Sequence, residues 1–217
     1  MALAGRYLGV TAVGAVIGYF ASPWTVLKYA TEHELPKKGT LAAAEYNAEL
    51  EADIQDLSIV KKLKADKRYK MVRSWQNMNA DELERMFTAG TLSTPGALSI
   101  PPLVFVDEED KSTVAVVHCG RLLTGFPLII HGGVLGTLLE EALRRIAILN
   151  FKDDRGVVSR LTLNYKAPTL AHQFLLVKTH TESADNKKVS LRGTVETLQG
   201  KTLVKAQGQF ASPSRWF

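Results

Sequence analysis

His131, Gly132 and Gly133 open an apolar stretch that carries a carboxylate, Glu140, about two helical turns further on. Backbone N–H groups at a helix start have no intrahelical partner, and the helix dipole adds partial positive charge where they point. An oxygen that turns negative during acyl transfer would be stabilised there. Glu140 would supply the complementary part, by deprotonating a water or by attacking directly. At roughly 100° per residue, Gly133, Gly136 and Glu140 share one face within about 60°, and that face has almost no side-chain bulk before the carboxylate. Leu135, Leu139, Ala142, Ile146 and Leu149 fall on another side as a core-facing stripe. A plainer description fits the same residues: Glu140 with Arg144, and Glu141 with Arg145, are spaced i,i+4 with the acid first, as in surface ion pairs. Against it, residues 134–149 are apolar around most of the helix, as a helix enclosed by a sheet would be. Glu141 has no glycine on its face and reads as a structural acid.

The elements that position this helix follow from pattern. Strands are expected at Leu103–Val106 and Thr113–Cys119, joined by the polar turn Asp107–Ser112. After the helix come Val157–Lys166, Phe174–Ser183, Val189–Leu198 and Thr202–Phe210. The order β-β-α-β-β-β-β is that of an α+β fold with an antiparallel sheet around one central helix. Upstream, Asn79-Ala80-Asp81-Glu82 reads as a capped helix start with Gly90 as its stop. A helix is expected from Leu41 to Ala65, acid-rich early and basic late. The basic run continues through Lys67, Arg68, Lys70 and Arg73, either as a solvated face or against an anionic lipid surface.

The segment His131-Gly132-Gly133 to Glu140, followed by Leu161-Thr162-Leu163-Asn164-Tyr165-Lys166-Ala167-Pro168, resembles the hotdog-fold acyl-CoA thioesterases of the phenylacetate-pathway type, in particular their mitochondrial fungal relatives. Those enzymes place their acid nine positions after the motif His, where Glu140 stands. The resemblance spans roughly residues 90–212. It implies a hotdog fold, hydrolysis of a fatty or small acyl-CoA thioester without a cofactor or metal, and a homodimer or higher homo-oligomer whose sites are shared across the interface. On this reading the N–H of Gly133, with Gly132 beside it, holds the thioester carbonyl oxygen, and Gly136 leaves room for substrate. His131 fixes the turn by hydrogen bonding, with proton transfer as its alternative role. Lys187 and Lys188 correspond to a basic pair near the nucleotide, or else belong to a solvated hairpin turn.

Two positions depart from the family pattern. Relatives carry Thr or Ser, which orients the water, where this chain has Val158; Ser159 is adjacent but should face the opposite way unless a bulge shifts the register. Phe126 and Leu128 stand where fungal relatives tend to have His and Gly. The departures keep open a hotdog protein that binds an acyl thioester without hydrolysing it. A membrane assembly or structural protein, using residues 41–90 to bind a partner, is the other alternative.

The 217 residues suit one hotdog core plus an extension, divided as 1–40 (anchor and hinge), 41–90 (helical extension) and 91–217 (hotdog domain). The formal charge of +5 favours acidic ligands, and no nucleic-acid motif accompanies it. Cys119 is the sole cysteine, so neither an intrachain disulfide nor a cysteine-based metal site can form.

The run Tyr7–Leu27 carries no charge. At 1.5 Å per residue it would span about 30 Å, the thickness of a bilayer core, and Gly14 and Gly18 form a small-residue face. We expect a single-pass transmembrane helix in a mitochondrial membrane, the inner one, with a cleaved targeting sequence as the alternative. The full-length chain should resist carbonate extraction, and a chain shortened to begin at Leu41 should be soluble. Recovery of a mature N-terminus between residues 20 and 40 would instead establish cleavage.

Overall fold

The computed structural model describes residues 34–151, 156–185 and 188–212, together with Gly14, Ala15, Gly18 and Ser22. The membrane span expected over Tyr7–Leu27 lies outside the described residues except at those last positions, and among the described residues no helix is long and apolar enough to cross a membrane. Residues 36–217 make one compact unit, so the helical extension and the strands that follow it belong together.

Within this unit the described residues begin with α1 (Leu41–Asp56) and α2 (Ser58–Ala65), broken at Leu57, where the backbone turns extended. Thr40 caps α1, its side chain accepting from the Ala43 N–H at 3.2 Å. Strand β1 (Lys70–Arg73) follows, then the short helix α3 (Ala80–Arg85) and a π-helical turn, Phe87–Thr91. The capping box expected at Asn79 is present, with Glu82 N–H on Asn79 Oδ1 at 2.9 Å and Asn79 N–H on Glu82 Oε2 at 3.0 Å. Gly90 does not end α3 but lies inside the π turn. Next come β2 (Leu103–Asp107), β3 (Ser112–Cys119), the small hairpin β4 (Thr124–Phe126) and β5 (Ile129–Ile130), and the helix α4 (Gly132–Asn150). Strands β6 (Val157–Tyr165), β7 (Gln173–Ala184), β8 (Lys188–Thr197) and β9 (Thr202–Ala211) complete the order.

One antiparallel sheet runs β1-β2-β3-β7-β8-β9-β6 and wraps around α4. The inner core joins Leu135, Leu139, Leu143 and Ile146 of the helix to Val104, Val177, Val195 and Phe210 of the sheet. The buried stripe is wider than expected: Leu138, Leu143 and Ala147 join it, whereas Leu149 is 38% exposed.

The second half of the basic run Lys67–Arg73 is strand β1, and Lys67, Arg68 and Lys70 remain exposed to solvent. Arg73 pairs with Glu51, Lys70 with Glu108 and Arg68 with Asp66. Four residues reading Lys-Met-Val-Arg give too short an alternation to announce a strand.

Helices α1 and α2 cover the outer face of the sheet. Leu50, Ile54, Val60 and Leu63 pack on Leu103, Phe105, Val116 and Leu176, forming a second core. This explains why β2 is apolar without alternation: Val104 and Val106 face α4, Leu103 and Phe105 face the extension, and every residue of the strand is buried. By contrast β8 alternates buried and accessible residues along most of its length. Ile54 is fully buried between the extension and the sheet, so Ile54→Ala should destabilise the whole unit by about 2–5 kcal/mol. A lowered midpoint in a single cooperative denaturant transition would show this. A separate early transition would mean that the extension folds independently.

Candidate active site

Helix α4 starts at Gly132 with His131 as its N-cap. The imidazole does the capping: its Nδ1 accepts from the Gly133 N–H at 3.0 Å. The ring also lies over Gly125 of β4, where an added Cβ would come within 2.6 Å of it. His131 therefore holds the turn, and it takes the N–H that was expected to remain free on Gly133. The N–H with no acceptor among the described residues is that of Gly132. Tyr165, at the end of β6, donates from its hydroxyl to the Gly132 carbonyl at 2.8 Å. Strand end and helix start are thereby fastened together, and an added Cβ on Gly132 would press on the Tyr165 ring at 3.1–3.3 Å.

A groove of about 410 Å³ lies beside this helix start, lined by Ile129, Ile130, Leu135, Ala167 and Pro168 with Gly132, Tyr165, Lys166 and Thr169. It is apolar along its walls, with an oriented N–H group at the helix end. Such a surface suits a carbonyl that becomes an oxyanion inside an otherwise apolar ligand.

Gly136 sits under Leu163 of β6, which a Cβ would meet at 2.9 Å, so the smooth helix face receives this chain's own strand at that point. Glu140 is partly buried, with 17% of its side chain exposed. Its Oε1 accepts from Arg144 Nε at 3.0 Å and Nη2 at 2.5 Å, the ion pair that the i,i+4 spacing allows. Among the described residues Oε2 carries no hydrogen bond.

The expected parts do not converge within one chain. Gly133 and Glu140 are seven residues apart on one helix, about 10 Å along its axis. Helix α4 runs antiparallel to β6: Gly132 meets Tyr165, Gly136 meets Leu163, and Ala147 meets Gly156. Val158 therefore lies about 20 Å from the helix start. It points inward against the core, because a bulge between Val158 and Arg160 makes Ser159 the extra residue. The Ser159 hydroxyl donates to the Gln209 carbonyl at 3.0 Å. Lys188 is at that same far end, opposite Ala211, with its N–H on Asp185 at 2.7 Å; Lys187 lies outside the described residues.

Glu141 is more buried than its sequence context suggested. The Thr88 hydroxyl of the π turn donates to its Oε1 at 2.6 Å, and with Arg145, Ser74 and Thr113 it lines a cavity of about 30 Å³ between helix and sheet. Burial raises its carboxyl above the ordinary value, with the Glu140 charge adding to the shift and Thr88, Arg144 and Arg145 opposing it. Sequence spacing carries no sign of this, since Thr88 comes from 53 residues away.

A sheet wrapped around a helix that opens on Gly-Gly is the frame of a recognised class of protein. The sequence pattern of the thioesterase superfamily matches residues 129–204, from the short hairpin through α4 into β9. The mitochondrial membrane protein FMP10 of Saccharomyces cerevisiae, itself uncharacterised, is 33% identical over 190 residues, covering 86% of this chain and 75% of that one. The chain belongs to the thioesterase superfamily. The bovine acyl-coenzyme A thioesterase THEM4 is 24% identical over 127 residues, spanning 58% of this chain and 50% of its own length. A phenylacetic acid degradation-related protein of Ralstonia eutropha superposes with a TM-score of 0.49 at 19% identity, over 58% of this chain and 89% of its own.

Because the folded pKa of Glu141 is raised, its stability contribution is complete below the unfolded carboxylate value, about 4.3, and is lost as pH rises through the folded value. Glu141→Gln, which keeps an acceptor for Thr88, should unfold at a temperature equal to or above that of the parent at pH 7. The difference should vanish near pH 4. A lower midpoint at pH 7 would show that a charged Glu141 supports the fold through Arg145.

Proposed function

We propose that this chain is an acyl-CoA thioesterase acting as a homodimer. The observation that carries the reading is the unpartnered Gly132 N–H at the start of a 19-residue helix, opening on an apolar groove. In the reaction the Gly132 N–H takes the thioester carbonyl oxygen as it becomes negative. Glu140 draws a proton from a water that attacks the carbonyl carbon, and that proton passes to the sulfur as the carbon–sulfur bond breaks. Alternatively its carboxylate attacks that carbon itself, the thiolate leaves and takes a proton from solvent, and water hydrolyses the resulting anhydride to restore Glu140. One helix cannot bring its own Gly132 and Glu140 to one carbonyl, so the acid comes from a second copy. Strand β6 is the sheet's end strand, and antiparallel pairing of two such strands sets the Val158 end of one beside the Tyr165 end of the other. The same arrangement carries Lys188 from the far end of one chain toward the groove of its partner.

The uncharged run Tyr7–Leu27 supports a membrane anchor, and the name of the yeast relative FMP10 supports a mitochondrial membrane. A second reading, binding of an acyl thioester without hydrolysis, is favoured by the Glu140–Arg144 ion pair together with the apolar Val158.

Glu140→Gln keeps the volume of the side chain and loses the charge that activates water. Turnover of acyl-CoA by the full-length chain should fall by about 10²-fold or more, with dimer mass and unfolding midpoint unchanged. Near-normal turnover in this variant would assign the chemistry to another group. A parent chain that binds acyl-CoA and releases no thiol would establish the second reading.

A further inference from the structure

A further cavity, of about 320 Å³, lies between the start of α1 and the loop that leads into β2, and it shares no lining residue with the groove at the α4 start. At the liquid volume of roughly 30 Å³ per water it has room for about ten. Lys38, Thr40 and Asn47 line it from the α1 side, and Ser93, Thr94 and Ser99 from the loop side. Lys38 is the one charged residue of the lining, and no carboxylate opposes it there.

The walls are held from within the chain. Thr40 donates its hydroxyl to the Lys37 carbonyl at 2.7 Å and accepts from the Ala43 N–H, while Ser99 accepts from the Gly96 N–H at 3.0 Å and donates to the Thr94 carbonyl at 3.2 Å. Those two hydroxyls are already engaged. Asn47 is different, because its Oδ1 is buried and has no hydrogen-bond partner. Leucine would fill the same space without an unmet oxygen, so an amide at this position points to a donor brought from outside. A ligand matched to the cavity carries negative charge for Lys38, acceptor oxygens for the hydroxyls of Ser93 and Thr94, and a hydroxyl donor for Asn47. A bare inorganic anion leaves most of the volume empty.

We infer that this cavity binds a hydroxyl-bearing phosphate ester of glycerophosphate type, its phosphate toward Lys38, Ser93 and Thr94 and its hydroxyl donating to Asn47. The site stands whether or not the chain hydrolyses thioesters. Such an ester has two sources, a free metabolite and the headgroup of an anionic phospholipid. In sequence, Lys38 stands eleven residues after the uncharged run that ends at Leu27, which favours the headgroup.

The test uses the full-length chain in detergent micelles, titrated calorimetrically with α-glycerophosphate. Binding should weaken about 3- to 10-fold in Lys38→Gln and in Asn47→Leu, and vanish in Asn47→Asp, which sets a carboxylate against the phosphate. Inorganic phosphate should bind more weakly than the ester and depend on Lys38 but not on Asn47. No binding of the ester by the parent, or binding indifferent to both positions, would overturn the inference. Phosphate that binds as tightly as the ester would overturn the role of Asn47. The unfolding midpoint of the parent reads the same site without a variant: the ester should raise it and uncharged glycerol at the same concentration should not, and equal effects would again overturn the inference. In bilayers, adding phosphatidylglycerol to phosphatidylcholine should raise the parent's midpoint and leave that of Asn47→Asp unmoved, which identifies the headgroup as the source. A rise with the free ester alone would uphold the site and identify a soluble source.

Discussion

Dehydrating the broad apolar stripe of α4 is the constraint on which the rest of the molecule depends. A stripe that takes in Leu135, Leu138, Leu139, Leu143, Ile146 and Ala147 is too wide for a flat partner, so the sheet must curve around it. The strands make room at Gly193 of β8, where a Cβ would lie 3.0 Å from Leu139, and at Gly208 of β9, where it would lie 3.0 Å from Leu143. Close approach at those points brings the helix down into the sheet. It also fixes where the helix begins, because the Tyr165 hydroxyl can hold the Gly132 carbonyl only when both elements are seated.

The same seating sorts the helix into flanks with different chemistry. Toward β6 lie Gly136 and Glu140, the latter ion-paired with Arg144 and with one carboxylate oxygen unengaged. On the other flank Glu141 and Arg145 border a small cavity closed by Ser74 and Thr88. Neighbours in sequence, the two acids differ because only one is covered by the extension. Burial pushes the Glu141 proton affinity up and that of Arg145 down, so loss of hydration outweighs their mutual attraction.

Much of this was legible from residue pattern, and what was not has identifiable causes. The six long strands and α4 fall within one or two residues of expectation, because alternation and helical period act over many positions. The apolar runs of β2 and β3 mark strands, but they also signal burial on both faces, which becomes apparent only with α1 and α2 in place. Strands β1, β4 and β5 are two to four residues long and leave no period to detect. At the candidate site, the position of the helix start is legible in His131-Gly132-Gly133, but which N–H stays free depends on the imidazole closing back on Gly133. The Ser159 bulge, the Tyr165 anchor and the unmet amide oxygen of Asn47 are relations between distant segments, and no local spacing encodes them.

The two ends of the sheet are built differently. At one, β1 is four residues long, carries Lys70 and Arg73, and spends those charges on Glu108 and Glu51. At the other, β6 is nine residues long, and its edge away from β9 pairs with no strand among the described residues. A short charged border resists extension, and a long uncovered one invites it. Were two copies to associate strand to strand as proposed, the first event would use up the one receptive border among the described residues, and growth would stop at a closed pair instead of continuing into a fibre.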